Sequence, residues 1–245
     1  MKSKKIVTVV LIVVVVFLLF LNFRAILRPA KYEEIYEQRR ELNLNRLMVI
    51  AELQGLYTQE YQHYAPHIDS LVNFYEKGHL TIENTSLIFP EGMDSTEVLN
   101  LSMKQREEQG LVKKDIQYVG VKGKMAEILK ELNKNKEGST KIEMKDFQYI
   151  PFTKTQYKIV TPADDSTQTK FAIFVPVNQM MSNFTESLPK STFSKMIYGG
   201  MENLYNDDVK KKDIKDSRNI SKFVGLQLGD TVYTSTEITS YGKAK

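Results

Sequence analysis

IVTVVLIVVVVFLLFL, residues 6–21, decides how the rest of the chain must be read. Thr8 is its one polar side chain, and the run extends to Phe23 with Asn22 placed at an interface. As a helix, residues 6–23 reach about 27 Å at 1.5 Å per residue, close to the hydrocarbon thickness of a bilayer. A cleaved signal peptide is the competing reading, but its apolar region is usually shorter and small residues follow it. Here the run ends in Phe23-Arg24-Ala25-Ile26-Leu27-Arg28-Pro29, with no A-x-A-like site. A buried core helix fits less well, because the run has no polar face. The expectation is an uncleaved, single-pass transmembrane helix over 6–23, with residues 1–5 as a cytoplasmic tail.

Lys2, Lys4 and Lys5 precede the run, while Arg24, Arg28, Lys31, Arg39 and Arg40 follow it. A five-residue tail with three lysines and an amino terminus is costly to translocate, whereas a long downstream domain crosses largely regardless of charge. The expectation is an N-terminus in the cytoplasm and a C-terminal domain in the periplasm, with the span in a bacterial inner membrane. Zero cysteines in 245 residues fit such a domain, and a cytosolic one as well.

Removing the anchor leaves about 220 residues, enough for one large domain. Thirteen Tyr and twelve Phe can furnish a core, and Trp is absent. The net charge of +4 and the basic run Lys210-Lys211-Lys212 with Lys215, Arg218 and Lys222, interspersed with Asp207, Asp208, Asp213 and Asp216, make a weak case for nucleic acid and a better one for a solvated loop.

Pro29 is expected to kink or restart the helix, so that 24–62 forms a juxtamembrane segment and 31–62 one helix about 48 Å long. Leu47, Ile50, Leu53, Tyr57, Tyr61 and Tyr64 recur at steps of three and four. Ile35, Leu42, Val49 and Leu56 recur at steps of seven, the pattern of a short coiled coil, although Arg39, Arg46 and Glu60 fall at intervening positions. Self-association through this helix is one expected partner contact, beside other envelope membrane proteins and the lipid bilayer.

Pro66 is expected to stop the helix, and residues 68–76, IDSLVNFYE, read as a second helix ended by Gly78. Residues 46–78 thus form a helical hairpin packed through Leu47, Ile50, Tyr57, Tyr64, Leu71 and Phe74. Asp94 or Ser95 can cap a helix running to Gln109, and 116–121 reads as a strand. Beyond 141 the expected strands are 141–144, 147–152, 156–161 and 170–177, with Asp164-Asp165-Ser166 in a hairpin loop. Residues 193–205 read as partly helical, 207–222 as a charged loop, and 223–233 as a strand pair bent at Gly225 and Gly229. The fold class is α+β: an N-terminal transmembrane helix continuing into a long helix packed on an antiparallel sheet domain spanning 63–245.

Arg46-Leu47, Ile50, Gln54, Tyr57, Tyr64, Asp69, Leu71, Asn73-Phe74 and Gly78 resemble a pattern of uncharacterised single-span envelope proteins of the Bacteroidota. The order of membrane helix, polar helix, two tyrosines and short Leu-rich helix is also similar to type II secretion pseudopilins. The likeness is densest over 46–78 and continues through Gly110-Leu111-Val112, Tyr149-Ile150-Pro151-Phe152, Phe174-Val175-Pro176-Val177 and residues 224–229. It departs from pseudopilins at the processing site, since Lys4-Lys5-Ile6-Val7-Thr8 has no glycine before the run and no glutamate within it. What the resemblance implies is an envelope module of packing and assembly. It also implies O-glycosylation acceptors at Ser70, Ser95, Ser166 and Thr231, each preceded by Asp, where capping and turn chemistry is the plainer reading.

Chemistry is thinly marked. His63 and His67 are four apart, but Pro66 lies between them and His79 is the remaining imidazole. The pairs Asp164-Asp165 and Asp207-Asp208 sit in polar, turn-like sequence. No phosphate loop or nucleophile elbow occurs, so no catalytic, cofactor or metal residue is assigned. The expected function is a non-enzymatic, membrane-anchored periplasmic assembly or scaffold component of an envelope machine, and the resemblance implies a secretion- or pilus-related one. A periplasmic ligand-binding or sensory module is the alternative.

Overall fold

The structure is a computed structural model that describes residues 2–90, 94–136, 141–161, 169–204, 213–215, 221–223, 225–230 and 238–241. One helix, α1 (Lys2–Tyr61), contains both the apolar run and the central core element. Its 60 residues correspond to about 90 Å. Residues 6–23 are exposed apart from the half-buried Phe20, and the first buried residues are Tyr32, Ile35 and Tyr36.

One expectation is corrected here. Pro29 lies inside the helix, which runs unbroken from Lys2, and does not restart it. Pro29 forfeits one backbone hydrogen bond. Packing on both sides holds the chain helical: Arg24 and Arg28 bond to residues 197–199, and the Tyr32 ring meets Phe184 edge-on at 5.7 Å. The distal end stops before Pro66, at Gln62, which takes a left-handed φ of 62° and donates its N–H to Thr58 O.

From 43 to 54 α1 shows no exposed residue. Val49, Ile50 and Leu53 are wholly buried, as are the polar Asn43 and Gln54. Ile35, Val49 and Leu56, three members of the seven-residue seam, are buried in the chain's own core.

The second helix, α2 (Ile68–Lys77), follows the sequence expectation and buries Ile68, Leu71 and Phe74 at steps of three. The turn joining it to α1 is held by Gln54, whose amide donates to Ala65 O at 3.1 Å and accepts from Ala65 N at 2.8 Å. Tyr57 packs on Phe74, ring centroids 5.1 Å apart, and Tyr64 on Phe171 at 4.7 Å.

A nine-residue antiparallel ribbon pairs β1 (His79–Leu87) with β2 (Val112–Gly120), from His79 opposite Gly120 to Leu87 opposite Val112. The ribbon is longer than the strand expected at 116–121, and Val121 opens a helix instead of closing the strand. At its tip, the helix expected from 95 to 109 is two short ones, α3 (Ser95–Asn100) and α4 (Met103–Glu108). Asp94 caps α3 and Ser102 forms a capping box on α4, so the second cap interrupts the run. Then α5 (Val121–Leu132) returns against α2, burying Val121 and Met125.

Residues 141–152 are irregular and not two strands. Ile142, Phe147 and Ile150 each reach the core individually, while Asp146 and Phe152 turn the chain at φ 53° and 62°. The main sheet runs β3 (Ile159–Val160), β4 (Phe171–Pro176), β7 (Gly225–Asp230), β8 (Ile238–Tyr241), all antiparallel. Phe171, Ala172, Ile173 and Val175 are buried, so β4 is covered on both faces, with α1 against β7 and β8. After β4 come α6 (Val177–Met180), a 3-10 turn at Phe184–Ser187 and α7 (Thr192–Tyr198). A separate pair, β5 (Asp213–Lys215) with β6 (Ser221–Phe223), occupies part of the expected charged loop. The architecture is thus mixed α+β: a long apolar N-terminal helix followed by small antiparallel sheets.

Candidate functional site

Arg39 interrupts the apolar spacing of α1, and the fold puts it at the centre of a buried polar network. Its side chain is 1% exposed. The guanidinium donates to Met180 O at 3.3 Å, Ser182 O at 2.5 Å, Asn183 O at 3.4 Å and Ser187 Oγ at 3.0 Å. Asn183 adopts φ 54°, which turns the chain there, and the loop's carbonyls converge on one cation. Burial lowers the pKa of Arg39 from its ordinary value, with Glu186 opposing that shift. Its Nε has no acceptor among the described residues.

The network continues along α1. Asn43 donates to Arg39 O at 2.8 Å and accepts from the Tyr157 hydroxyl at 2.8 Å. Burial pushes the Tyr157 phenol above its ordinary pKa, opposed by Arg46. A turn further on, Arg46 donates to Tyr149 O and steadies the irregular segment.

These interactions build a cleft of about 390 Å³ lined by Arg46, Asp146, Tyr149, Phe152, Thr153 and Lys154. Phe152 stands between cleft and network, because its ring covers the Arg39 guanidinium at 4.5 Å. A bulky side chain at positive φ is strained, and such strain concentrates at binding and switching sites. The lining combines two cations, one carboxylate and two aromatic rings, chemistry suited to a small anionic or zwitterionic group.

The packing residues anticipated from the sequence do meet. Leu47, Ile50, Leu71 and Phe74 are buried, and Tyr57 and Tyr64 pack half-buried against the same core. The histidines do not form a metal set: His63 Nδ1 lies 3.0 Å from Tyr64 O, His67 precedes α2 and His79 opens β1. Among the described residues no group of three or more His, Cys, Asp or Glu side chains could hold a metal ion. Ser70 is half-buried at the start of α2, and Ser95 is exposed behind the cap Asp94. Asp164, Asp165, Ser166, Asp207, Asp208 and Thr231 lie outside the described residues. Arg39 and Phe152 are not legible as site residues in the sequence, because nothing local marks a buried arginine or a left-handed phenylalanine. The nearest signal was Arg39 breaking the seam.

A second feature is the ribbon. Its base is fixed by Glu60, which accepts from Thr81 N at 2.7 Å and Thr81 Oγ1 at 2.9 Å. Arg106 knits the tip by donating to Val98 O at 2.9 Å and Leu99 O at 2.6 Å, and Lys114 bridges Glu83 and Glu107. Most of both strands is nonetheless exposed, including Ile116 and Tyr118, the latter at 71%. Two residues apart, these side chains share one face.

Compared with known proteins, the chain matches no family model, no curated protein and no solved structure.

Proposed function

We propose that the chain is a single-pass inner-membrane protein whose periplasmic domain acts non-enzymatically, as an assembly or scaffold part of an envelope machine. The observation that carries this reading is the continuity of α1, exposed over 6–23 apart from the half-buried Phe20, with one face buried in the core from Tyr32 onward. A fold that uses the same helix in both parts ties the domain rigidly to the span. Glu60 lies 37 residues beyond Phe23, so the ribbon base stands roughly 55 Å from the end of the apolar run. Two-stranded ribbons are marginal alone, and an exposed one bearing Ile116 and Tyr118 suits a protein partner.

The test is a carbonate wash of native membranes combined with a periplasm-only reporter fused after Lys245. Retention and an active reporter are expected. Release by the wash removes the anchor, and activity only of a cytoplasmic reporter reverses the topology. Crosslinking before solubilisation then reads out the partners.

The cleft beside Phe152 favours a second reading, a ligand-binding or sensory module. It predicts that small carboxylates or phosphates raise the melting temperature of the parent and not of Lys154→Ala.

A further inference from the structure

The two arginines that leave the apolar run are bonded to the end of α7. Arg24 Nη2 donates to Gly199 O at 2.7 Å and Arg28 Nε donates to Ile197 O at 2.9 Å. The fit is close, since Gly200 has φ +83° and a Cβ there would meet the Arg28 guanidinium at 3.0 Å. The carbonyls at the C-terminal end of this helix therefore receive charged donors from α1.

That bonding fixes the height of α7 along α1. Arg24 and Arg28 lie one and five residues past Phe23, or about 1.5 and 7.5 Å along the axis. Headgroups occupy roughly 5–8 Å beyond each side of the hydrocarbon core. Those bonds hold the Ile197–Gly199 end of α7 at that layer, and Met196 and Phe193 follow one and four residues back from Ile197, within about 1.5 and 6 Å of it along the helix.

Its outward face has the matching composition. Phe193 and Met196, three apart and on one side, are 68% and 55% exposed, while Ile197 is buried. Lys190 and Lys195 are exposed beside them, and Ile26 of α1 is exposed at the same level. Apolar side chains flanked by lysines, held at headgroup depth, have the pattern of an interfacial helix.

We propose that α7 is a membrane foot: Phe193 and Met196 insert into the headgroup and acyl boundary of the same bilayer that holds the span, with Lys190 and Lys195 among anionic headgroups. This rests on the anchored reading of α1. The foot fixes the domain's tilt by giving it a second attachment to the surface.

The chain has no tryptophan, so Phe193→Trp, Met196→Trp and, within the span, Phe17→Trp each create a single emitter. Each full-length variant is reconstituted in phosphatidylethanolamine and phosphatidylglycerol vesicles containing lipids brominated near the carbonyls or near the chain ends. The Trp at 193 and at 196 should emit to the blue of a water-exposed indole and be quenched more by shallow bromines than by deep ones. The Trp at 17 should be quenched by deep bromines. If it is, while those at 193 and 196 show water-like emission or a blue shift without quenching, the foot is overturned and the anchor stands. A blue shift without quenching would assign the face to a protein contact. An unquenched Trp at 17 overturns the anchor and the foot with it.

Discussion

Tyr157 donates its hydroxyl to Asn43 Oδ1 at 2.8 Å, joining two buried residues 114 positions apart. Asn43 has already used its amide on Arg39 O, so the tyrosine satisfies the remaining half of that side chain. Tyr157→Phe leaves the Asn43 oxygen buried without this donor and should cost about 1–3 kcal/mol. Denaturant midpoints of the two proteins measure it.

The same pair makes a prediction about alkaline pH. Burial raises the phenol's folded pKa above its ordinary value of 10.0, so the folded state holds the proton more tightly than the unfolded one. Its stabilising contribution is complete below about pH 10 and is lost as pH rises from there toward the folded pKa. The parent should lose stability above pH 10 more steeply than Tyr157→Phe, and parallel curves would remove this linkage.

Arg39 staples residues 180–187 to α1 through three carbonyls and a hydroxyl. A lysine has no planar fork and cannot reproduce that set. Arg39→Lys should therefore destabilise the domain by roughly 2–3 kcal/mol, the scale of hydrogen bonds to a charged group. Calorimetry of both proteins decides it, and unchanged stability would mean that the loop is held by packing alone.

Gln54 satisfies both backbone groups of Ala65, a buried residue in the turn between α1 and α2. Gln54→Ala leaves an N–H and a C=O unpaired, at about 1–3 kcal/mol each. Leu71→Ala, which empties wholly buried volume in the same hairpin, should cost about 2–5 kcal/mol. Equilibrium unfolding of both variants tests the hairpin, and midpoints equal to the parent's would reject it.

Partner recovery and stability should separate on the ribbon. Ile116→Ser with Tyr118→Ser changes exposed side chains and should leave the melting temperature nearly unchanged while reducing crosslinked partners. Glu60→Ala should accelerate hydrogen exchange in 79–87 without moving the global midpoint, because it releases only the ribbon base. Undiminished crosslinking in the double variant would place the partner surface elsewhere.

Where periodicity and punctuation agreed, the sequence was readable. The apolar run, the helix before Gly78, the buried strand around Phe171–Pro176 and the packing of Leu47 with Leu71 all rest on local patterns. Pro29 misled because tertiary bonds from Arg24 and Arg28 reinforce a helix that local chemistry would interrupt. Residues 141–152 read as strands because aromatic and β-branched side chains are common there. Ile142, Phe147 and Ile150 plug the core one at a time around two left-handed residues, Asp146 and Phe152. The cleft was hidden for a related reason: it depends on Arg39, Phe152 and Arg46 meeting across more than 100 positions, and no spacing encodes that.

The order in which α1 and its covering strands are synthesised has a further consequence. Leu53 and Leu56 emerge early, whereas Leu226 and Leu228, members of the same core, lie near the other end of the chain. At about 5–20 residues per second, the intervening stretch takes on the order of ten to thirty seconds to make. Throughout that interval the central helix carries an uncovered apolar flank. Biogenesis, more than the finished fold, is then the vulnerable stage: nascent or prematurely terminated chains lacking β7 should be the species that proteases and holding chaperones meet.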